Sequence, residues 1–392
     1  MKVLYCNPVF LEYRLPYYKC LVELFHQDFH VLYSEKRYLV REYRKYLLEK
    51  IKMVLGENAH VLKGEMIFDT YAKSFSKYTI DEGGRKIPIP VGLFSAIKKV
   101  RPDVLITEGF FQWTPLVLLY AFFHRLPVYI GYERTAHTER NVSRLLKWHR
   151  KITDKFVTGY LVNGTETKKY LLSLGIKQDK IHIGGMNADG SGLCQRIASL
   201  ETSEINDLKK QFKRGNNGII YLFSGRVTEL KGIKYLLKAW VEHIKIHPND
   251  SLIVVGGGDL LNECVSLYAD CQSIYFEGRV DYMQIHKYYG IADVFILPTL
   301  VDNWSLVIPE AMSCGLPVAT SIYNGCYVDL IKEGVNGFVF DTFKQETIID
   351  VLDKFHYVDL KEFGRKSIEL EKEFDTDHCA QRTYNAIVGN GN

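Results

Sequence analysis

Asp302-Asn303-Trp304-Ser305-Leu306-Val307-Ile308-Pro309-Glu310-Ala311-Met312-Ser313-Cys314-Gly315-Leu316-Pro317-Val318-Ala319 places two acidic residues ahead of a Gly-x-Pro break and an apolar run. It reads as a loop leaving a strand, a helix starting near Ser305, and a buried strand after Gly315-Leu316-Pro317. One carboxylate, Asp302, precedes the helix, and a second, Glu310, lies inside it. Between them fall unpaired backbone N–H groups and the positive end of a helix dipole. That combination suits a ligand with a polyanionic middle and hydroxyls at both ends.

Around it, strand-like runs at 219–224, 251–255, 273–276, 294–297, 318–320 and 337–340 alternate with helical patterns. The first half repeats the alternation. Strands are expected at 2–6, 31–33, 104–107, 128–130, 159–163 and 181–183, with helices at 15–25, 93–99 and 114–124. Such alternation predicts parallel sheets with helices on both faces. The glycine-bearing stretch 184–192 reads as a linker. We therefore expect an N-terminal domain over 1–185 and a C-terminal domain over 186–373. A final helix, about 374–392, starts behind Asp375 or Thr376 as N-cap and crosses back to the first domain. Ligands of open parallel sheets sit beyond the carboxyl ends of the strands, so both halves should aim loops into a shared cleft.

The quoted stretch resembles the signature of glycosyltransferase family 4: an acidic residue, seven intervening residues and a glutamate, then Ala-Met-x-Cys-Gly-x-Pro-Val. Further matches follow in the family's order across about 218–341: Phe223-Ser224-Gly225-Arg226, Leu230-Lys231-Gly232, Gly256-Gly257-Gly258, Gly278-Arg279-Val280, Asn324-Gly325 and Glu333-Gly334-Val335-Asn336-Gly337. The first half is similar in layout only. The resemblance implies an α/β protein of GT-B fold, two Rossmann-like domains facing across a cleft. It also implies a retaining, metal-independent transferase with no cofactor beyond its donor, a UDP- or GDP-sugar.

By that resemblance Arg226 and Lys231 clamp the donor diphosphate, and Glu310 holds the ribose hydroxyls. Gly225, Gly256 and Gly257 let backbone approach the ligand, and Arg279 and Val280 meet the base. Asp302 stands where many relatives carry glutamate and is one methylene shorter. Asn303, Trp304 and Ser305 depart from the family's small-Phe-Gly sequence. Their backbone N–H groups, with that of Leu306, are still expected to face the donor. Trp304 suits either a sugar platform or packing. In the first half, Glu133 falls nearest the register of the family's sugar-contacting histidine, and His137 lies four residues on. Both are candidate catalytic residues with Arg226, Lys231 and Asp302. Asn7, Phe10, Gly109, Phe110 and Glu133 are the acceptor-side candidates.

Residues 1–185 hold 30 Lys+Arg against 18 Asp+Glu, a net of +12, whereas the remainder nets −8. A basic half seeks anionic surfaces. Arg144, Lys147 and Lys151 share a helical face near Trp148, and the basic residues of 36–50 interleave with aromatics. Both patterns fit peripheral contact with an anionic membrane, or an ordinary basic solvent face. The run 116–123 is far below the ~20 residues a span needs. Neither a signal peptide nor a paired-cysteine metal motif is visible, so a cytoplasmic protein at the inner membrane face is expected. Asp375-x-Asp377 sits at a helix start outside the nucleotide motifs, and no metal is assigned to it. The expected acceptor is a hydroxyl on a lipid-linked or glycan precursor. A non-catalytic sugar-nucleotide-binding scaffold and a nucleotide-sugar epimerase remain open alternatives. No nucleic-acid motif is present, and no GxGxxG follows the first strand as a dehydrogenase would require.

Overall fold

The structure, a computed structural model, describes residues 1–39, 45–70, 85–184, 188–215 and 217–389. Parts of three expected features therefore lie outside the described residues: 40–44 of the basic segment, 185–187 of the linker and 390–392 of the last helix.

The strands in chain order are β1 (Val3–Cys6), β2 (Phe29–Ser34), β3 (Ala59–Leu62), β4 (Glu65–Thr70), β5 (Arg85–Pro90), β6 (Val104–Glu108), β7 (Val128–Tyr132), β8 (Gly159–Val162) and β9 (Ile181–Ile183). The second half adds β10 (Ile220–Ser224), β11 (Ser251–Val255), β12 (Ile274–Gly278), β13 (Val294–Leu297), β14 (Val318–Ser321) and β15 (Gly337–Phe340). Seven strands form one parallel sheet in the order β3-β2-β1-β6-β7-β8-β9, and six form a second in the order β12-β11-β10-β13-β14-β15. β4 and β5 make a separate antiparallel hairpin. Sequence reading missed β3 and the hairpin. β3 is a short edge strand with His60 inside it, and β5 carries Pro88 and Pro90, so neither shows a clean apolar run.

In each main sheet the chain winds outward one way from its first strand and then returns to wind the other way. The reversal falls between β1 and β6, and between β10 and β13. Loops leaving these four strands diverge and leave a crevice. The central strands are buried on both faces, as at Ile220, Tyr221, Leu222 and Phe223. This explains why they read as unbroken apolar runs.

The last helix, Thr376–Gly389, belongs to the first domain's core. Cys379, Ala380, Ala386 and Ile387 are buried with Val3, Tyr5, Leu21 and Phe29. The Tyr17 hydroxyl lies 2.7 Å from Thr383 Oγ1, and the Tyr129 hydroxyl donates to the Ala386 carbonyl at 3.1 Å. Asp375 caps the helix by accepting from the His378 N–H at 2.8 Å.

The domains also touch across the cleft. Asp329 accepts from the Thr165 N–H at 2.8 Å and from its hydroxyl at 2.5 Å. Trp304 packs against Gly164, where a Cβ would lie 2.3 Å from the indole ring and 2.5 Å from Asp329 Oδ2. Gly164→Ala should therefore destabilise the domain contact by about 1–3 kcal/mol through overpacking. Chemical denaturation checks this, and a stability equal to the parent's would show that the two domains do not meet there.

Candidate functional site

The second domain supplies one wall. Loops leaving β10, β11 and β12 surround a cavity of about 690 Å³ lined by Gly225, Arg226, Gly256, Gly257, Arg279, Val280 and Glu310 among others. The glycines have a packing cause. A Cβ on Gly256 would lie 1.7 Å from the Gly225 carbonyl oxygen, and one on Gly258 would lie 2.1 Å from that of Val227. The two loops thus stack backbone on backbone, with Val227 N–H donating to the Gly257 carbonyl at 3.0 Å. This stacking leaves Arg226 exposed, with no side-chain partner among the described residues.

Glu310 is buried in the helix Val307–Ser313, and its Oε2 accepts from the Tyr289 hydroxyl at 3.0 Å. Burial pushes its carboxyl up to about 7, with the Tyr289 hydrogen bond opposing.

Asp302 is the centre of a second cluster. Its carboxylate pairs with Lys231 and accepts from the Ser305 hydroxyl at 2.5 Å and the Trp304 N–H at 3.2 Å. Lys231 is brought there by a tight backbone approach: a Cβ on Gly232 would lie 1.9 Å from the Pro298 carbonyl oxygen at the exit of β13. The side-chain bonds of Asp302 hold 302–305 as a turn. The helix therefore begins at Val307, two residues after the expected start at Ser305. Asn303 lines a cavity of about 390 Å³ between the domains, shared with Arg226, Lys231, Arg134 and Arg140.

Of the two roles expected for Trp304, the structure shows packing. Its side chain is 5 % exposed and packs on Phe374 at 5.3 Å between centroids, so its indole is an interdomain wedge and not a sugar platform.

The first domain brings Asn7 and Glu108 together at its own reversal point. Asn7 donates to the Tyr18 hydroxyl at 2.8 Å, and Glu108 accepts from the Tyr5 hydroxyl at 2.5 Å with Arg14 at 3.5 Å. Gly109 and Glu133 border a cavity of about 370 Å³. Glu133 keeps access to solvent, yet enclosure between the domains raises its carboxyl above the usual range, helped by Glu108. Phe10 is corrected as an acceptor-facing residue: it is buried against Tyr18 with ring centroids 4.9 Å apart, and an aromatic ring enclosed in a core leaves no face for a ligand. Phe110 packs on Tyr132 at 5.0 Å and lines the cavity with Gly109 and Glu133. His137 bridges the domains, its Nε2 2.8 Å from the Leu300 carbonyl and its ring tilted over Tyr323. Arg134, Arg140 and Asn141 also reach the interdomain cavity. From sequence, Arg140 reads as the start of the basic face that runs to Lys151 and Arg134 has no role; their position on the loop after a central strand was the available signal for the cavity.

Arg144, Lys147 and Lys151 stand exposed on the helix Arg144–Thr153 beside Leu145, 71 % exposed, and Trp148, 61 % exposed. The other basic segment is partly consumed: Arg37 is paired with Glu65 at 2.7 Å, and Lys50 with Glu12. Among the described residues one cluster has metal-ligand chemistry, His243, Asp250 and His356. It lies at the amino ends of the strands, away from the cleft, where Asp250 Oδ2 lies 2.8 Å from both imidazoles.

Residues 204–359 match the family model described as Glycosyl transferases group 1. An uncharacterised glycosyltransferase of Methanocaldococcus jannaschii is 34% identical over 119 residues, 30% of this chain and 30% of that protein. The alpha-monoglucosyldiacylglycerol synthase of Acholeplasma laidlawii is 24% identical, with 64% of this chain and 66% of that enzyme aligned. The chain thus spans less than two thirds of the length of these curated relatives. Among solved structures, Anabaena Alr3699/HepE in complex with UDP is similar with a TM-score of 0.74 at 15% identity, over 99% of this chain and 100% of that one. The fold is GT-B, two Rossmann-like domains facing across a cleft.

The Glu310 carboxyl gives a pH prediction. Its folded-state value of about 7 lies above the ordinary 4.5, so its protonated form favours the fold. That contribution is complete below the ordinary value and is lost as pH rises through about 7. Glu310→Gln should remove this part of the pH dependence. Denaturation at several pH values from 4 to 8 tests it, and parallel stability profiles for parent and variant would contradict the assignment.

Proposed function

We propose that the chain is a retaining, metal-independent glycosyltransferase. It moves a sugar from a nucleoside diphosphate-sugar to a hydroxyl of a lipid-linked or glycan precursor. The observation that carries this reading is the pairing of an unengaged Arg226 with Lys231 at the crevice of the second sheet, one cavity away from Glu310. A diphosphate on Arg226 and Lys231 would place a ribose toward Glu310 and the donor sugar toward Asp302 and the first domain. Support for a UDP-sugar comes from the solved neighbour captured with UDP. Support for a lipid-borne acceptor comes from the named product of the Acholeplasma relative.

In this mechanism the bond between the sugar's anomeric carbon and the diphosphate oxygen breaks, and its electron pair leaves with the phosphate. Arg226 and Lys231 stabilise the charge that grows there. The acceptor oxygen attacks from the same face, and its proton passes to the departing phosphate oxygen. Asp302 keeps the Lys231 ammonium in place before the donor arrives. The electrostatics come from side chains already aimed at the cleft, so no metal is required.

Membrane contact would run through the first domain. Phe122 and Phe123 are 62 % and 71 % exposed, Phe156 packs 6.0 Å from Phe122, and Arg125, Lys155 and the cationic helix Arg144–Thr153 lie in the same stretch of the domain. Exposed aromatics among cations suit the headgroup region of an anionic leaflet. No helix among the described residues is long and apolar enough to cross a membrane.

Arg226→Ala should lower turnover by about 10²–10³-fold, equivalent to about 3–4 kcal/mol of charge stabilisation, with the fold intact because the side chain is exposed. Activity should persist in excess EDTA. Thermal shift against UDP-, GDP-, ADP- and dTDP-sugars identifies the donor through ligand-linked stabilisation. Donor binding with neither hydrolysis nor transfer would favour the scaffold alternative. Loss of all activity in EDTA would overturn the metal-free mechanism.

Cosedimentation with anionic vesicles should be salt-sensitive and should fall when Arg144, Lys147 and Lys151 become glutamate. Equal binding to neutral and anionic vesicles would count against the docking face.

A further inference from the structure

The cavity between the domains holds more positive charge than a donor diphosphate needs. Arg226 and Lys231 reach it from the second domain, and Arg134 and Arg140 from the first. Among the described residues Asp302 is the one acidic residue lining it, and its carboxylate is taken up by Lys231, Ser305 and the Trp304 N–H. The first-domain pair is poorly neutralised. Arg140 donates to the uncharged His137 carbonyl at 2.7 Å and has no carboxylate partner among the described residues. Arg134 lies 3.3 Å from Glu139, but Glu139 is itself shared with the buried Arg150 at 2.8 Å. Thr138, Thr228 and Asn303 add neutral polar groups around the same space.

Guanidinium groups present forked donors that match phosphate oxygens, and two of them on one side of a cleft raise the local anion concentration. If the diphosphate engages Arg226 from the Glu310 side, its two charges meet Arg226 and Lys231. Arg134 and Arg140 then face the opposite side of the reacting centre, where the acceptor enters.

We infer that Arg134 and Arg140 form a subsite for a phosphate group carried by the acceptor, separate from the donor diphosphate. This rests on the proposed placement of the donor on Arg226 and Lys231. It narrows the acceptor class to phosphate-bearing molecules, and it makes the loop after β7 a determinant of acceptor choice.

Calorimetric titration of the full chain tests it. With UDP saturating, inorganic pyrophosphate and decyl phosphate should each bind, and decyl glucoside should not. Arg140→Ala and Arg134→Ala should each weaken both anions at least tenfold while the UDP affinity stays within about twofold. Both side chains are exposed, and thermal melting of each variant confirms the fold. Absence of anion binding to the UDP complex, or anion affinities unchanged in both variants, would overturn the subsite. Pyrophosphate binding that depends on Arg140 without any binding of decyl phosphate would overturn the acceptor assignment and leave a site for a free anion. Failure of UDP, GDP, ADP and dTDP alike to bind would instead remove the donor reading. In that event, pyrophosphate titration of the free protein and of Arg140→Ala still decides whether the cavity is an anion site.

Discussion

A single carboxylate, that of Asp302, takes donors from three directions: the Lys231 ammonium, the Ser305 hydroxyl and the Trp304 N–H. Each bond fixes a different part of the cleft. Lys231 ties the loop after β10 to the exit of β13. Ser305 and Trp304 set the turn from which the Glu310 helix departs. The same turn delivers the Trp304 ring to the first domain at Gly164. One carboxylate that accepts from three donors fixes the relative positions of the segments that carry them. Local order at the site and the docking of the domains therefore rest on the same few bonds.

The second constraint is close backbone approach. At Gly232, Gly256 and Gly258 a neighbouring carbonyl occupies the place of a Cβ. These contacts compress the loops at the head of the second sheet. They leave the longer side chains of Arg226 and Arg279 to line the cavity. Packing and ligand access are two results of one arrangement.

The second domain was legible because its signals are local. Runs such as 219–224 and 294–297 are apolar throughout, and the acidic residues, glycines and cations stand at fixed distances from them. Those intervals put Arg226, Gly256, Arg279 and Glu310 on one cavity. The first domain was legible in its strands but not in its site. Phe10 follows a strand, as ligand-facing residues do, yet its burial depends on Tyr18 and Tyr33, distant partners that no local pattern announces. Arg14 is a similar case. Nothing in its neighbourhood along the chain reveals that it meets Glu108 at the floor of the cleft. His137 looked like a site histidine, but its imidazole reaches a carbonyl across the cleft, a contact set by how the domains sit together.

The closing helix Thr376–Gly389 has a consequence for how the chain matures. Cys379, Ala380, Ala386 and Ile387 complete a core whose other members begin at Val3. During synthesis the first domain emerges with a groove along Tyr17, Leu21 and Phe25 that waits for the helix Thr376–Gly389. The buried members of the second domain's core all precede this helix in the chain. The half made first therefore cannot complete its core until this helix has been made, and it carries uncovered apolar surface until then.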